Sequence, residues 1–252
     1  MTFRLGLLAL CIGGLVLAHL APTRADGTLT EAQRGEVERI IERYLLENPG
    51  FMLEVLGRVT RHQEELEAKR VRDTLVRHSA ELYGDPDSVR LGDPDAPVTI
   101  VEFFDYRCGY CKRNHPIVTA FRERNRDVGV VYKEFPILGP ESVLASRAAI
   151  AARKQGKYWD LHHALMSTPG KLTEQHLFTL AGQVGLDVAR LRRDIGAPEI
   201  DRVLQNNRRL ARALGIRGTP GFVIGDNVVP GFLSRQALAR AVEEAREGCL
   251  SC

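Results

Sequence analysis

Two cysteines separated by two residues, Cys108-Gly109-Tyr110-Cys111, have the clearest capacity for chemistry in this chain. At the start of a helix, residues three apart lie about one turn from each other, so a disulfide between them closes a small ring. Cys108, at the N-terminal end, meets unpaired N–H groups and the positive end of the helix dipole, which favour a thiolate. Cys111, a turn deeper, is shielded. The pattern therefore gives attack to the first sulfur and resolution to the second. A lone C-x-x-C is also half of a zinc site, so its surroundings must decide between the two.

Those surroundings begin with Val98 to Phe104, an apolar, β-branched and aromatic run interrupted by one acid, Glu102. Such a run suits a strand buried on both faces. It breaks at Asp105–Arg107, just before the cysteines. Pro116 follows Cys108 by eight residues, where it kinks a helix without blocking its first turn. Far downstream, Gly218-Thr219-Pro220-Gly221 precedes a short strand, Phe222 to Ile224, a setting for a cis X–Pro bond. Together, strand, CGYC, helix and TPGF resemble the thioredoxin superfamily. The wording EFFDYRCGYCKR resembles its DsbA-like branch and, within it, the ScsC-like periplasmic disulfide isomerases and oxidoreductases. The resemblance covers about residues 93–248 well and the N-terminal arm less securely. It implies that the first cysteine is the nucleophile and the second resolves. It also implies that the residue before a cis-proline faces the pair, and that a buried acid six residues ahead handles the partner's proton. Those roles fall on Cys108, Cys111, Thr219, Pro220 and Glu102.

The 252 residues are 44% hydrophobic and 27% charged, ordinary values for a soluble globular protein. Residues 1–25 stand apart: Arg4, an apolar run from Leu5 to Leu20, then Thr23-Arg24-Ala25 with small residues at the −3 and −1 positions. This reads as a secretory signal peptide cut after Ala25, which sends the protein to the periplasm. A retained anchor fits less well, because the apolar run is short and carries His19. Cys11, inside this segment, follows Leu10 rather than the small residue a lipoprotein site needs. Cutting after Ala25 leaves 33 basic against 32 acidic residues, which argues against a nucleic-acid surface. The arginines between Arg190 and Arg217 then read as the wet faces of helices. Four cysteines remain in two C-x-x-C pairs, an even count that suits disulfide chemistry outside the cytosol.

Residues 26–92 read as a helical arm. Thr30 and Gln33 form a capping box. Val37, Ile40, Ile41, Tyr44 and Leu45 then repeat at helical spacing. Asn48 reads as the N-cap of a second helix with Pro49 at its first position, running without interruption to Tyr83. Its first third is apolar (Phe51 to Val59) and its middle is charged. Two readings follow: a projecting arm that meets copies of itself, or a helix lying on the catalytic domain. The resemblance favours the first and implies a homotrimer through residues 26–83. Beyond Gly92-Asp93-Pro94, residues 93–248 read as a thioredoxin-like α/β frame. A helical block of about 137–214 is inserted after a second strand, Val128 to Phe135, and a hairpin and a last helix capped by Ser234 close the frame.

Glu102 lies in the sheet behind the cysteines, where loss of hydration raises its pKa and lets it trade protons with Cys111. The bland alternative pairs it with Lys133 on the neighbouring strand. Gly109-Tyr110 lacks the histidine found between the cysteines of strongly oxidising DsbA proteins, which leaves the dipole as the main thiolate stabiliser and suggests a milder oxidant. Thr219 before Pro220 resembles the isomerase branches, and its backbone can pair with an extended substrate. His115, His162, His163 and His176 lack a second ligand at metal spacing and receive no role, and Tyr158 and Trp159 read as core or groove lining. Cys249 and Cys252, past the last helix, read as an accessory redox pair, with a terminal disulfide or half a thiolate metal site as alternatives. The chain thus reads as a periplasmic thiol–disulfide oxidoreductase with an isomerase or reductase tendency. It would act on unfolded or misbridged exported proteins, with electrons from a membrane-bound reductase and no cofactor or metal. A DsbA-type dithiol oxidase and a copper- or zinc-binding protein of copper tolerance are the rival readings.

Overall fold

Strand β2 (Val98–Phe104) is buried at every residue, as a central strand with both faces covered must be. In the computed structural model, which describes residues 28–248, it lies at the middle of a five-stranded sheet with β1 (Val89–Leu91), β3 (Val128–Glu134), β4 (Gly221–Ile224) and β5 (Asn227–Pro230). The order is β1-β3-β2-β4-β5. Strands β2 and β3 are parallel, joined through helix α4 (Gly109–Arg124), and the other pairs are antiparallel. The expected strands and hairpin are present. Strand β1 was not expected: it is three residues long, half-buried, and too short to show a period.

Residues up to Thr60 and residues from Arg61 onward form two compact units. In the first, Thr30 closes its capping box on α1 (Glu31–Glu47), with Gln33 N donating to its hydroxyl and Thr30 N donating to the Gln33 side chain. Asn48 departs from expectation. Its side-chain amide donates to Tyr44 O at 2.8 Å, so it closes α1 instead of capping α2 (Pro49–Arg77). No residue of α1 is buried; Ile40, Ile41 and Tyr44 are each about half exposed, and Leu46 and Leu53 reach 76% and 70%.

In the second unit the sheet separates two apolar cores. On one face Ile100, Phe104, Val130 and Tyr132 pack with Cys111 and Val118 of α4. Also on that face are α10 (Arg235–Gly248) and the inserted helices α5 (Pro140–Ala152), α6 (Tyr158–Ser167), α7 (Glu174–Gln183) and α8 (Val188–Asp194). On the other face Val101, Phe103, Val131 and Val223 meet Leu75 of α2, Leu82 of α3 (Ser79–Tyr83), and Leu210 and Leu214 at the far end of α9 (Pro198–Ala213). The long helix expected from Phe51 to Tyr83 is thus broken at His78, and its last part lines the second core. The reading of that helix as lying on the catalytic domain holds for residues 71–82.

Lys133 fixes this junction. The register sets Phe103, not Glu102, opposite Lys133 and puts Tyr132 opposite Glu102, so the lysine points to the second core. Its side chain is fully buried and donates to Glu81 O at 2.5 Å, Ser88 Oγ at 2.6 Å and Asp85 Oδ2 at 2.8 Å. The expected Glu102–Lys133 pair does not exist, because a side-chain period of two puts neighbours in sequence on opposite faces. Asp85→Ala strands a buried ammonium and should destabilise the fold by about 2–3 kcal/mol, near the low end for a broken buried pair because Asp85 is partly exposed. Lys133→Met, which removes the charge and keeps the volume, should cost much less; denaturant unfolding of the two variants checks the order.

Candidate active site

The chain leaves β2 at Phe104 and turns into α4 over Asp105, Tyr106 and Arg107. Asp105 is fully buried and holds that turn. Its carboxylate accepts from Arg107 N (2.7 Å), Ser142 Oγ (2.7 Å), Ile137 N (2.8 Å) and Leu138 N (3.0 Å), which ties the cysteine loop to the loop after β3. Arg107 passes over Gly139 to Leu138 O and Glu141. A Cβ at Gly139, where φ is +120°, would lie 2.9 Å from the guanidinium, so glycine is required. The loop is clamped before the first cysteine is reached.

Cys108 is the N-cap of α4, its Sγ accepting from Cys111 N at 3.4 Å. Both cysteines are in the dithiol form. Cys111 is fully buried and Cys108 keeps 6% of its surface, less than an exposed nucleophile was expected to show. The small window suffices, because attack needs one sulfur lone pair facing outward. The Cys108 thiol is pulled down to about 6. The hydrogen bond from Cys111 contributes most, with the Thr219 side chain and the N–H groups of Cys111 and Tyr110 adding to it against the opposing effect of burial. The helix N-terminus, expected as the main stabiliser, contributes through those N–H groups but takes second place to the Cys111 thiol, because a direct hydrogen bond to the sulfur acts at closer range. As a thiol, Cys108 donates to Thr219 O at 3.1 Å, a contact that favours the protonated form. The donors outnumber it, so the net direction is down. Cys111 goes the other way, pushed far up by burial, by the hydrogen bond it gives Cys108 and by the nearby Glu102 charge.

Glu102 sits beneath the pair in the first core. It is 1% exposed, its Oε1 has no hydrogen-bond partner, and burial reinforced by the Cys108 charge raises its pKa to about 8. It is therefore mostly protonated at neutral pH while Cys108 is mostly ionised. Thr219–Pro220 is a cis peptide, and Gly231 N donates to Pro220 O at 2.8 Å. The backbone of Leu233 exchanges hydrogen bonds with buried Asn114, which fastens α4 to the loop after β5. All five residues singled out in the sequence (Cys108, Cys111, Glu102, Thr219 and Pro220) thus meet at one place.

The sequence left a second buried network without a role. Glu134, at the end of β3, accepts from Tyr106 OH (2.9 Å) and Tyr158 OH (2.8 Å), and His162 Nδ1 lies 3.0 Å from the Tyr106 hydroxyl. Burial lifts Glu134 to about 8 and holds His162 well below its usual range, so both are neutral. Tyr106 stands two residues before Cys108, so the network anchors the cysteine loop to the inserted helix α6. Tyr158, expected as core or groove lining, is core with a polar duty. Two acids ending apolar strands, Asp105 and Glu134, were the available signal. His115 and His163 share a contact of 2.9 Å. Among the described residues no cluster of three or more His, Cys, Asp or Glu is placed to hold a metal ion. Cys249 and Cys252, like residues 1–25, which the sequence reads as a signal peptide, lie outside the described residues.

A model of the DsbA-like thioredoxin domain matches residues 99–243, more than half of the chain. The chain belongs to the DsbA-like thioredoxin family. Within this family it is ScsC-like. A thioredoxin-like oxidoreductase from Silicibacter pomeroyi DSS-3 is 45% identical, with a TM-score of 0.65 over 67% of this chain and 98% of that one. Proteus mirabilis ScsC in a transitional conformation is 30% identical, with a TM-score of 0.64 over 87% of this chain and 98% of that one. Among curated proteins, a Na(+)/H(+) antiporter NhaA 1 from Salinispora arenicola is 31% identical over 171 residues, which are 65% of this chain and 26% of the antiporter. The chain spans about a quarter of the length of the curated relatives it matches. The inserted helices α5 to α9 are the helical block of the DsbA-like domain.

Proposed function

We propose that this protein is a thiol–disulfide oxidoreductase of the periplasm with an isomerase or reductase tendency. The observation that carries the proposal is the division of labour between the two sulfurs: Cys108 at about 6 and touching the surface, Cys111 buried and held protonated. The Cys108 thiolate attacks one sulfur of a substrate disulfide, forming a mixed disulfide and expelling the other sulfur as a thiolate, which takes a proton from water. That step removes the negative charge that, added to burial, had raised Glu102, so Glu102 releases its proton to solvent more readily and can then accept the proton of Cys111. The Cys111 thiolate then attacks Cys108 Sγ and expels the second substrate sulfur. The substrate gains two electrons and the Cys108–Cys111 pair becomes a disulfide. For isomerisation, a second substrate thiol resolves the mixed disulfide first, and the dithiol is regenerated.

A Cys108 near 6 supports the milder assignment, because it lies closer to thioredoxin (about 7) than to DsbA (about 3.5). The lower the nucleophile's pKa, the more the reduced form is favoured and the stronger the oxidant. Redox titration of the pair against glutathione tests this. A potential near the isomerase value of about −180 mV or below supports it, and one near the DsbA value of about −120 mV assigns a dithiol oxidase instead. Residues 1–25 support export, and a membrane-bound reductase is the proposed electron source for a reduced periplasmic pair.

Self-association through the arm is part of the same proposal. Its support is the exposed apolar surface of residues 37–59, which has no cover within its own unit. A trimer is the proposed assembly. A cut near Asp87, natural from the sequence, would remove Leu75 and Leu82 from the second core and Asp85 from Lys133, so the cut belongs after Thr60. The expected result is a trimeric mature chain and a monomeric chain starting at Arg61. The short form should lose isomerase activity on scrambled ribonuclease and oxidise reduced substrates better. Light scattering showing a monomeric mature chain rejects the arm's role.

A further inference from the structure

Two concave surfaces share a wall beside the cis-proline. The first, about 340 Å³, is lined by Ile216, Thr219, Pro220, Pro230 and Gly231. The second, about 400 Å³, lies between the last turns of α2 and the end of α9 and is lined by Glu67, Arg70, Arg77, Arg212 and Arg217. Gly215, Arg217 and Val228 border both, so the surface is continuous from one to the other. Thr219, which lines the first concavity, accepts from the Cys108 thiol at 3.1 Å through its carbonyl oxygen, so the groove begins at the nucleophile's hydrogen-bond partner.

The far end of this groove is positive. Four arginines face one glutamate, and Arg70 already engages that glutamate at 3.0 Å. Among the described residues the Arg77 guanidinium donates to neutral acceptors, Asp73 O at 3.1 Å and Thr74 Oγ1 at 3.0 Å, with the Asp73 carboxylate near it but engaged by Lys69. The exposed guanidinium groups of Arg212 and Arg217 have no hydrogen bond or ion pair among the described residues. A solvated helix face accounts for some of this: Arg212, in the last turn of α9, complements the helix dipole. Arg217 lies past the helix end, two residues before Thr219, where no dipole explains it. Some arginines elsewhere on α9 and α10 are matched by acids, as Arg209 is by Glu81 and Arg246 by Asp127, while Arg235 and Arg240 on α10 are solvated without a partner among the described residues.

We propose that this cleft receives acidic side chains that flank the cysteine of the polypeptide held at Cys108, so that the protein prefers acidic segments. The inference rests on the thiol–disulfide exchange reading and adds a substrate class to it. An extended chain leaving Cys108 along Thr219 passes the first concavity and brings residues a few positions from its cysteine to Arg217 and Arg212. Opposite charges there add attraction and steer the encounter.

The test uses the full mature protein and three unstructured peptides of equal length with glutamate, glutamine or lysine flanks. Serine replaces the central cysteine for binding by fluorescence anisotropy, and a disulfide-bonded cysteine is used for turnover. The glutamate peptide should bind about five- to tenfold more tightly than the glutamine peptide at low salt, the sum of a few exposed charge pairs, and the gap should close at about 0.5 M salt. Arg212→Gln with Arg217→Gln should remove that preference, and Arg212→Glu with Arg217→Glu should turn it towards the lysine peptide. Binding and turnover of the glutamine peptide should stay at the wild-type level in both, which also reports correct folding. Equal binding of the glutamate and glutamine peptides by the wild type, or a preference that survives both variants, overturns the inference. If the wild type exchanges disulfides with none of the peptides, the thiol–disulfide reading fails, while the binding ratio still decides the cleft.

Discussion

Cys108→Ser should reduce disulfide exchange to background, whereas Cys111→Ser should accumulate mixed disulfides with substrate. The asymmetry follows from exposure and charge: only Cys108 reaches the surface, and only Cys108 is ionised near neutral pH. A thiol at about 6 is roughly 90% thiolate at pH 7, against about 3% for an ordinary cysteine at 8.5. Of the active-site pair, alkylation of the reduced native protein should therefore modify Cys108 and spare Cys111. Its rate should fall about tenfold per unit below pH 6 and level off above it, since the reactive form is the deprotonated one. Faster labelling of Cys111 would reverse the two roles. A second comparison separates the causes of the low value. Cys111→Ala removes the largest contributor, the hydrogen bond into the Cys108 sulfur, and should move the alkylation midpoint up by about 1–2 units, the worth of a hydrogen bond to a charged group. Cys111→Ser keeps a donor and should stay close to wild type. Were the helix N-terminus the main cause, serine and alanine would give the same midpoint.

The sequence made the frame and the five site residues legible because each follows from local chemistry. A short apolar run rich in β-branched and aromatic residues, with one acid in it, suits a central strand. A C-x-x-C before a helix places one sulfur at its N-terminus, and Thr219-Pro220 stands before a strand that must return beside the first. What escaped depends on contacts between distant segments. Lys133 read as a partner for Glu102 because neighbouring strands suggest neighbouring charges; the register, which no local pattern encodes, sends it to Asp85 on the opposite face. Asn48 has the residue type of an N-cap, but its side chain closes the preceding helix. The long helix looked continuous from Phe51 to Tyr83, yet Leu75 and Leu82 are core residues while Leu53 and Leu56 are exposed. Apolar spacing is alike in both stretches, and only the presence of a sheet beneath one of them distinguishes them. The polar network around Glu134 left little signal for a related reason: Tyr106, Glu134, Tyr158 and His162 come from three segments, the cysteine loop, β3 and α6, and bear no common motif.

Glu102→Gln should make the protein less dependent on pH and slower, and the two effects test different things. In the folded state the carboxyl titrates at about 8 against 4.5 for the ordinary group, so the native protein holds a proton that the unfolded chain has released. A raised pKa contributes stability that is fully present below pH 4.5 and is lost as pH rises towards 8. Across that window the wild type should lose up to about 1.4 kcal/mol per pH unit from this group, or about 3 kcal/mol by pH 7. Glutamine cannot titrate, so this component of the slope should vanish. An amide buried without partners costs about 1–3 kcal/mol, so absolute stability at pH 7 should change little. The slope, measured by denaturant unfolding at several pH values, is the clean readout. Turnover should fall by about 100-fold, the lower end for a lost proton-transfer group, with the defect in resolution by Cys111 and not in attack by Cys108. Mixed disulfides should then persist in Glu102→Gln, and the Cys108 alkylation midpoint should stay close to the wild-type value, because Glu102 is already protonated where Cys108 titrates. Wild-type turnover in Glu102→Gln, with the altered slope present, would leave Glu102 a buried acid without a part in the proton transfer.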